Sequence, residues 1–187
     1  MWISDAFGPL PASARGRTSL LMNASPPPLT RWQRAGSVCF NRQSTHYAAL
    51  SNMAEPFPVI VDGERYRSVE HLYQASKFPD HPERHALVLA EPTPLRSKQR
   101  ARRAQPGETR ADWDDVKVSV MAMCLRLKAE QHATTFGTLL RSTGDRVLIE
   151  ESTRDDWWGA VPVNEIELAG RNVLGLLLME LRTELSA

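Results

Sequence analysis

The chain is poor in most of the features that mark common function classes. Two cysteines, Cys39 and Cys124, in 187 residues give neither a disulfide framework nor a metal-like spacing; reduced, buried thiols in a cytoplasmic protein are the expectation. A formal net charge of +1 supplies no global attraction to nucleic acid or to a membrane surface. No apolar run approaches the ~20 residues of a membrane span. The longest candidate, Val173 to Leu181, is interrupted by Gly175 and Glu180 and reads as a buried helix, so no membrane partner is expected. There is no Gly-rich phosphate loop, no G-x-S-x-G elbow and no Cys–His pair. His81 and His85 have the i, i+4 spacing of a metal pair, but no third ligand accompanies them. Neither a metal nor a cofactor is expected. Carboxylate, lysine and aromatic chemistry remains.

The 42% apolar and 24% charged fractions are those of an ordinary globular protein, and the length fits one domain with a real core. The near-neutral total conceals an asymmetry. Residues 1–42 carry Arg15, Arg17, Arg31, Arg34 and Arg42 against Asp5, a net of +4, which leaves −3 for the rest. This stretch is rich in Pro, Ser and Gly, includes Pro26-Pro27-Pro28 and lacks periodicity; residues 1–36 are expected to be disordered. Its Arg- and Ser-rich, acid-poor composition is also that of organelle transit peptides, and initiation at Met22 is a further alternative. A secretory h-region and cleavage site are missing, and disorder without a targeting role is favoured.

From residue 37 to residue 187 the pattern predicts one α+β domain, mostly helical, with a small antiparallel sheet. Val38-Cys39-Phe40 is a short strand. Pro58 to Val61 and Arg65 to Arg67 form a hairpin closed by Asp62-Gly63. Helices are expected from Ser68 to about Phe78, over Pro82–Ala90 and Pro94–Arg103, over Asp112–His132, over Phe136–Arg141 and over Arg171–Glu184. Thr143-Gly144-Asp145 turns into a strand over Arg146–Glu150, and a polar, aromatic loop spans Glu151 to Glu167.

The most informative stretch is Ser68-Val-Glu70-His-Leu-Tyr73-Gln74-Ala-Ser-Lys77. With Ser68 as N-cap, Glu70, Tyr73, Gln74 and Lys77 fall at i, i+3, i+4 and i+7, a stripe roughly 100° wide. Val69, Leu72 and Ala75 take the opposite, core-facing side. One stripe presents a carboxylate, a phenol, an amide and an amine, a set suited to acid/base or imine chemistry. The same spacing also describes a solvated face. Asn52, in Leu50-Ser51-Asn52-Met53, is a polar group before the hairpin that also fits a turn. Arg96, Lys98, Arg100, Arg102 and Arg103 place five cations in eight residues, suited to phosphate or to open surface. Asp155-Asp156-Trp157-Trp158-Gly159, preceded by Glu150 and Glu151, sets carboxylates beside indoles, which fits stacking on a planar ring. Trp113, opening the long helix, is a second stacking wall or core.

Taken in order, Leu50-Ser-Asn52, Asp62-Gly63, the Ser68–Phe78 stretch, Asp112-Trp113 with Val116-Lys117, Thr143-Gly-Asp145, Glu150, Asp155 with Trp158-Gly159, and Asn172-Val-Leu-Gly175 through Arg182 resemble the NADAR (YbiA-like) family. The match runs from about Phe40 to Leu185. One departure is Ala101, where relatives often carry Gly before the arginine equivalent to Arg102. The resemblance implies a YbiA-like single domain with N-glycosidase activity on ribosides: removal of ADP-ribose from guanine in DNA or nucleotides, or cleavage of phosphorylated intermediates of riboflavin synthesis. A non-catalytic ADP-ribose-binding module is the third reading. Glu70, Trp113, Asp155 and Trp158 match the family's functional positions, and Lys77 its motif lysine. Glu70, Lys77 and Asp155 are thereby the expected catalytic groups. Asn52, Tyr73, Gln74, Arg96, Arg102, Trp113, Trp158 and Gly159 are the expected substrate-binding residues. The partner implied is ADP-ribosylated nucleic acid or a small ribosyl nucleotide, with a cognate ADP-ribosyltransferase as its source.

Overall fold

The computed structural model describes residues 26–186. The expectations for residues 1–25, including the transit-peptide and Met22 alternatives, lie outside them. Among the described residues the chain is a mostly helical α+β domain. Its strands are β1 (Thr30–Gln33), β2 (Val38–Phe40), β3 (Val59–Val61), β4 (Glu64–Tyr66), β5 (Leu148–Glu150), β6 (Val161–Pro162) and β7 (Glu167–Gly170). Its helices are α1 (Val69–Ala75), α2 (Pro82–Leu89), α3 (Pro94–Arg102), α4 (Trp113–Gln131), α5 (Thr138–Ser142) and α6 (Val173–Ser186). A turn of π-helix over Ala133–Gly137 joins α4 to α5. No helix among the described residues is long and apolar enough to cross a membrane.

The helices begin where the sequence supplies a cap. Ser68 accepts a hydrogen bond from the His71 amide and Thr93 one from the Arg96 amide, satisfying donors that a helix start otherwise leaves open. Pro82 and Pro94 stand in first turns, where a missing N–H costs nothing. The core joins Val69, Leu72 and Ala75 of α1 to Met121, Cys124 and Leu125 of α4 and to Val173, Leu174, Leu177 and Leu178 of α6. Helix α1 is central, packing on α2, α3 and α4.

The sheet is in three pieces. β3 and β4 form the expected hairpin; Asp62 and Gly63 both have positive φ, 51° and 82°, the geometry of a two-residue turn between twisted strands. β2 and β5 pair in parallel. β1, β7 and β6 form an antiparallel sheet.

This last sheet overturns the expected disorder of residues 1–36 where it is described. Thr30–Gln33 pairs with Glu167–Gly170, Trp32 Nε1 donates to the Gly170 carbonyl at 2.9 Å, and Arg34 makes two hydrogen bonds of 2.7 Å to Glu151. These four residues have no periodicity of their own, and the partner strand lies some 137 residues away, with only its first residue, Glu167, inside the expected loop. The helix expected to Phe78 ends at Ala75, and Lys77 stands on the turn that follows. Cys124 is buried as expected, but Cys39 is only partly so; both are free thiols.

Candidate active site

One wall of a cleft of about 600 Å³ is α1. The stripe is not a solvated face: Glu70, Tyr73 and Gln74 are 2%, 4% and 3% exposed. Burying a carboxylate is unfavourable unless it is hydrogen-bonded, and Glu70 is met on both oxygens. Asn52 Nδ2 donates to Oε2 and Gln74 Nε2 to Oε1, the latter at 2.8 Å. The Glu70 amide in turn donates to the Asn52 carbonyl. Burial pushes the Glu70 pKa up, opposed by Lys98, by the Gln74 hydrogen bond and by Lys77. Asn52 therefore holds Glu70 in place, while Gln74 Oε1 has no hydrogen-bond partner among the described residues and can accept one from a ligand.

Lys77 lies beside aromatic faces, its Nζ 5.3 Å from the Trp113 ring centre and 5.9 Å from that of Tyr73. Its backbone carbonyl is fixed by the Arg110 amide at 2.9 Å. Burial pulls the Lys77 pKa down to about 8; Glu70 opposes this, and Lys98 and Arg102 reinforce it. A substantial fraction of neutral amine is present at physiological pH, the form a nucleophilic lysine needs. Tyr73 packs between the two indoles, 5.0 Å from Trp113 and 5.5 Å from Trp158 between ring centres, so all three expected aromatics meet in one floor.

The arginine cluster divides. On α3, Lys98 and Arg102 are one turn apart and both line the cleft. Arg96, Arg100 and Arg103 share the other face, around a separate groove with Glu91, and Arg100 is bonded to Glu91 at 2.7 Å. Arg96, expected to bind substrate, is thus outside the cleft, and Lys98, not chosen from the sequence, is inside it. Helical periodicity showed that Arg96, Arg100 and Arg103 go together; nothing local said which face met the site.

The opposite wall is the end of β5 with the loop after it. Asp155 Oδ1 accepts the amides of Trp157 and Trp158 at 3.2 and 2.9 Å, folding the loop so that Trp158 faces Tyr73. Its Oδ2 is 3.8 Å from Lys98 Nζ. Asp155 is in the cleft as expected, but one of its oxygens is committed to loop structure. Gly159 is not on the lining, contrary to its expected substrate-binding role. A Cβ there would stand 2.4 Å from the Glu150 carbonyl oxygen, so this glycine permits close packing behind the wall. Glu150 itself lines the cleft; in the sequence it stands as a flanking acid and as one of the positions carrying the family resemblance, with no role assigned to it. Among the described residues no three His, Cys, Asp or Glu side chains are grouped to hold a metal. His85 is buried, with its ring edge-on to Tyr66.

The cleft brings together a hydrogen-bonded buried carboxylate, a lysine of lowered pKa, stacked indoles and two cations, groups with the chemistry to engage a polar, ring-bearing ligand. The NADAR domain profile matches residues 39–186, and the chain belongs to the NADAR family. It is 35% identical over 149 residues to N-glycosidase YbiA of Escherichia coli, covering 80% of this chain and 88% of that one. It is 33% identical to an N-glycosidase of Nostoc punctiforme, covering 80% and 92%. A riboflavin biosynthesis protein of Vibrio vulnificus is 34% identical over 148 residues, 79% of this chain but 38% of that protein. The NMR structure of Escherichia coli YbiA superposes with a TM-score of 0.67 at 35% identity, covering 82% of this chain and 90% of that one. The enzyme class follows from these relatives: an N-glycosidase with the YbiA fold.

Proposed function

We propose that this enzyme removes ADP-ribose from guanine in DNA or nucleotides by cleaving the bond between C1 of the ribose and the base. The observation that carries the reading is Lys77 beside Glu70 in a cleft large enough for a dinucleotide-sized ligand, with Lys98 and Arg102 at its side. Pockets for such ligands span roughly 300–1,000 Å³. Trp113 and Trp158 offer stacking faces for base or adenine, and Lys98 and Arg102 charge for the diphosphate. Lys77, neutral in part, attacks C1 and displaces the base, and opening of the ribose ring leaves an imine on Lys77; Glu70 takes and returns the amine protons, and water releases the sugar. In the competing route Glu70 stabilises an oxocarbenium ion and activates water directly. The depressed pKa of Lys77 favours the first.

The test is release of free ADP-ribose from ADP-ribosylated guanosine, with borohydride added to trap an imine. The expected outcome is a covalent adduct on Lys77 in the wild type and none in Lys77→Ala. Equal turnover by the two proteins sinks the imine route. A second substrate, a phosphorylated riboside precursor of riboflavin, is favoured by the name of the Vibrio relative. It needs only one phosphate contact, and assaying both substrates with one preparation separates the readings. Ligand bound tightly with no base released on long incubation would instead support a binding module.

A further inference from the structure

Glu150 is an acidic group in the cleft that the proposed reaction leaves unused, and the surrounding structure is organised to fix it. Its amide donates to Asn172 Oδ1 at 3.0 Å, and Asn172 Nδ2 donates to the Leu148 carbonyl at 2.8 Å, so one side chain clamps β5 on both sides of Ile149. Asn172 does this at a positive φ of 52°, a backbone state uncommon outside glycine. Gly175 lets α6 approach: a Cβ there would lie 2.2 Å from the Leu148 carbonyl oxygen. Gly159 does the same for the Glu150 carbonyl, which accepts the Ala160 amide at 2.8 Å. Three separate residues thus hold the backbone of one strand end. The carboxyl it presents to the cleft has no hydrogen-bond or ion-pair partner among the described residues.

The other four acids lining the cleft are differently placed: Glu151 is paired with Arg34 and Asp114 with Lys117. Both oxygens of Glu70 accept hydrogen bonds, which favours the ionised form. Asp155 accepts two backbone amides and faces Lys98. Burial raises the Glu70 pKa, but with a donor on each oxygen its carboxylate is suited to accept a proton, and Asp155 has one oxygen committed to its loop. We infer that Glu150 is the general acid of the glycosidase, donating its proton to the nitrogen of the departing base. As the bond from C1 to that nitrogen breaks, its electron pair goes to the base and the Glu150 proton follows. C1 is then held by Lys77 as an imine; water adds to C1, the C1–Nζ bond breaks with its electron pair returning to Lys77, and the remaining proton of the water restores Glu150. The charged groups acting on it are Asp155 on the loop, Glu70 on α1 and Lys98 on α3. Burial and the two neighbouring acids raise its pKa to about 8, with Lys98 opposing, so it is protonated at neutral pH, as the task requires.

The inference rests on the glycosidase reading but not on the choice of base. The test compares wild type with Glu150→Gln on two substrates: ADP-ribosylated guanosine, and ADP-ribose joined at C1 to 4-nitrophenol, which departs without a proton. The expected result is a loss of about 10²–10³-fold in kcat on the guanosine conjugate. The loss on the nitrophenyl conjugate should be less than about fivefold, and the alkaline limb of the kcat/KM profile should disappear. Equal losses on both substrates, or an unchanged alkaline limb, overturn the role of Glu150. Failure of the wild type on every riboside overturns the glycosidase reading instead. Thermal melting of the variant separates either result from misfolding.

Discussion

The two walls of the cleft present acids in opposite ways. On the α1 wall Glu70 is enclosed by the amides of Asn52 and Gln74, both carried by nearby chain, and its charge is supported by hydrogen bonds. On the β5 wall Glu150 has its backbone held from α6 and from the following loop, and its carboxyl is left without a partner. Burial raises both pKa values, but only on the α1 wall is the ionised form stabilised by donors. Glu70 is buried and Glu150 half-buried, and the pairing teaches that what reaches an acid's oxygens, and not depth alone, sets its function. Environments that push two acids apart are how one site supplies both a base and an acid.

The sharpest way to break that contrast is at the α1 wall. Glu70→Gln and Lys77→Ala should each lower kcat by about 10³-fold or more on ADP-ribosylated guanosine, measured in single turnover. Retention of activity by either would remove the α1 wall from the chemistry. Next is the pH profile of the wild type. Lys77 must lose a proton to attack, and its pKa is pulled down to about 8, so kcat/KM should rise through that region. Above it the rate should fall as Glu150 ionises, leaving a narrow maximum near pH 8; the two limbs are properties of the coupled site. A profile rising without limit to pH 10 would contradict the acid role of the β5 wall.

Substrate anchoring should give a smaller change. Lys98→Met should raise KM about tenfold with little change in kcat, because a cation beside a phosphate acts in ground and transition states alike. Arg96→Ala, on the far face of α3, should alter either constant by less than about twofold. A matching effect of the two would mean that both faces of α3 meet the ligand.

The smallest expected effect is on stability. Glu150 has a folded-state pKa raised above its ordinary value of 4.5, so the fold loses stability as pH rises from about 5 to above 8. Glu150→Gln removes that loss. The variant should melt with the wild type near pH 4 and several degrees above it at pH 9, a gain on the order of a few kcal/mol. Equal melting at pH 9 would show that Glu150 ionises freely.

Much of the fold was legible locally. Ser68 and Thr93 as caps, Pro82 and Pro94 in first turns, and Asp62-Gly63 as a hairpin turn each act through neighbouring residues, so they can be read in a window of a few positions. The same holds for Glu70, Gln74 and Lys77, grouped by helical spacing alone. What was not legible depended on distant partners. β1 exists because β7 offers it a ladder, and four residues without alternation cannot announce that. Arg96 and Lys98 are two positions apart and chemically similar, yet only the packing of α3 on α1 sends one into the cleft.

The sequence by itself determined which residues would share a face, where helices start and which family's motifs are present, because these are set by backbone geometry and short-range hydrogen bonds. Only the tertiary structure decided that the Glu70 stripe is buried, that Asp155 spends an oxygen on its own loop, and that Glu150 is left partnerless in the cleft. Burial and hydrogen-bond satisfaction are properties of what surrounds a group, and for Glu150 those surroundings come from α6, α1 and α3, between 22 and 80 residues away along the chain.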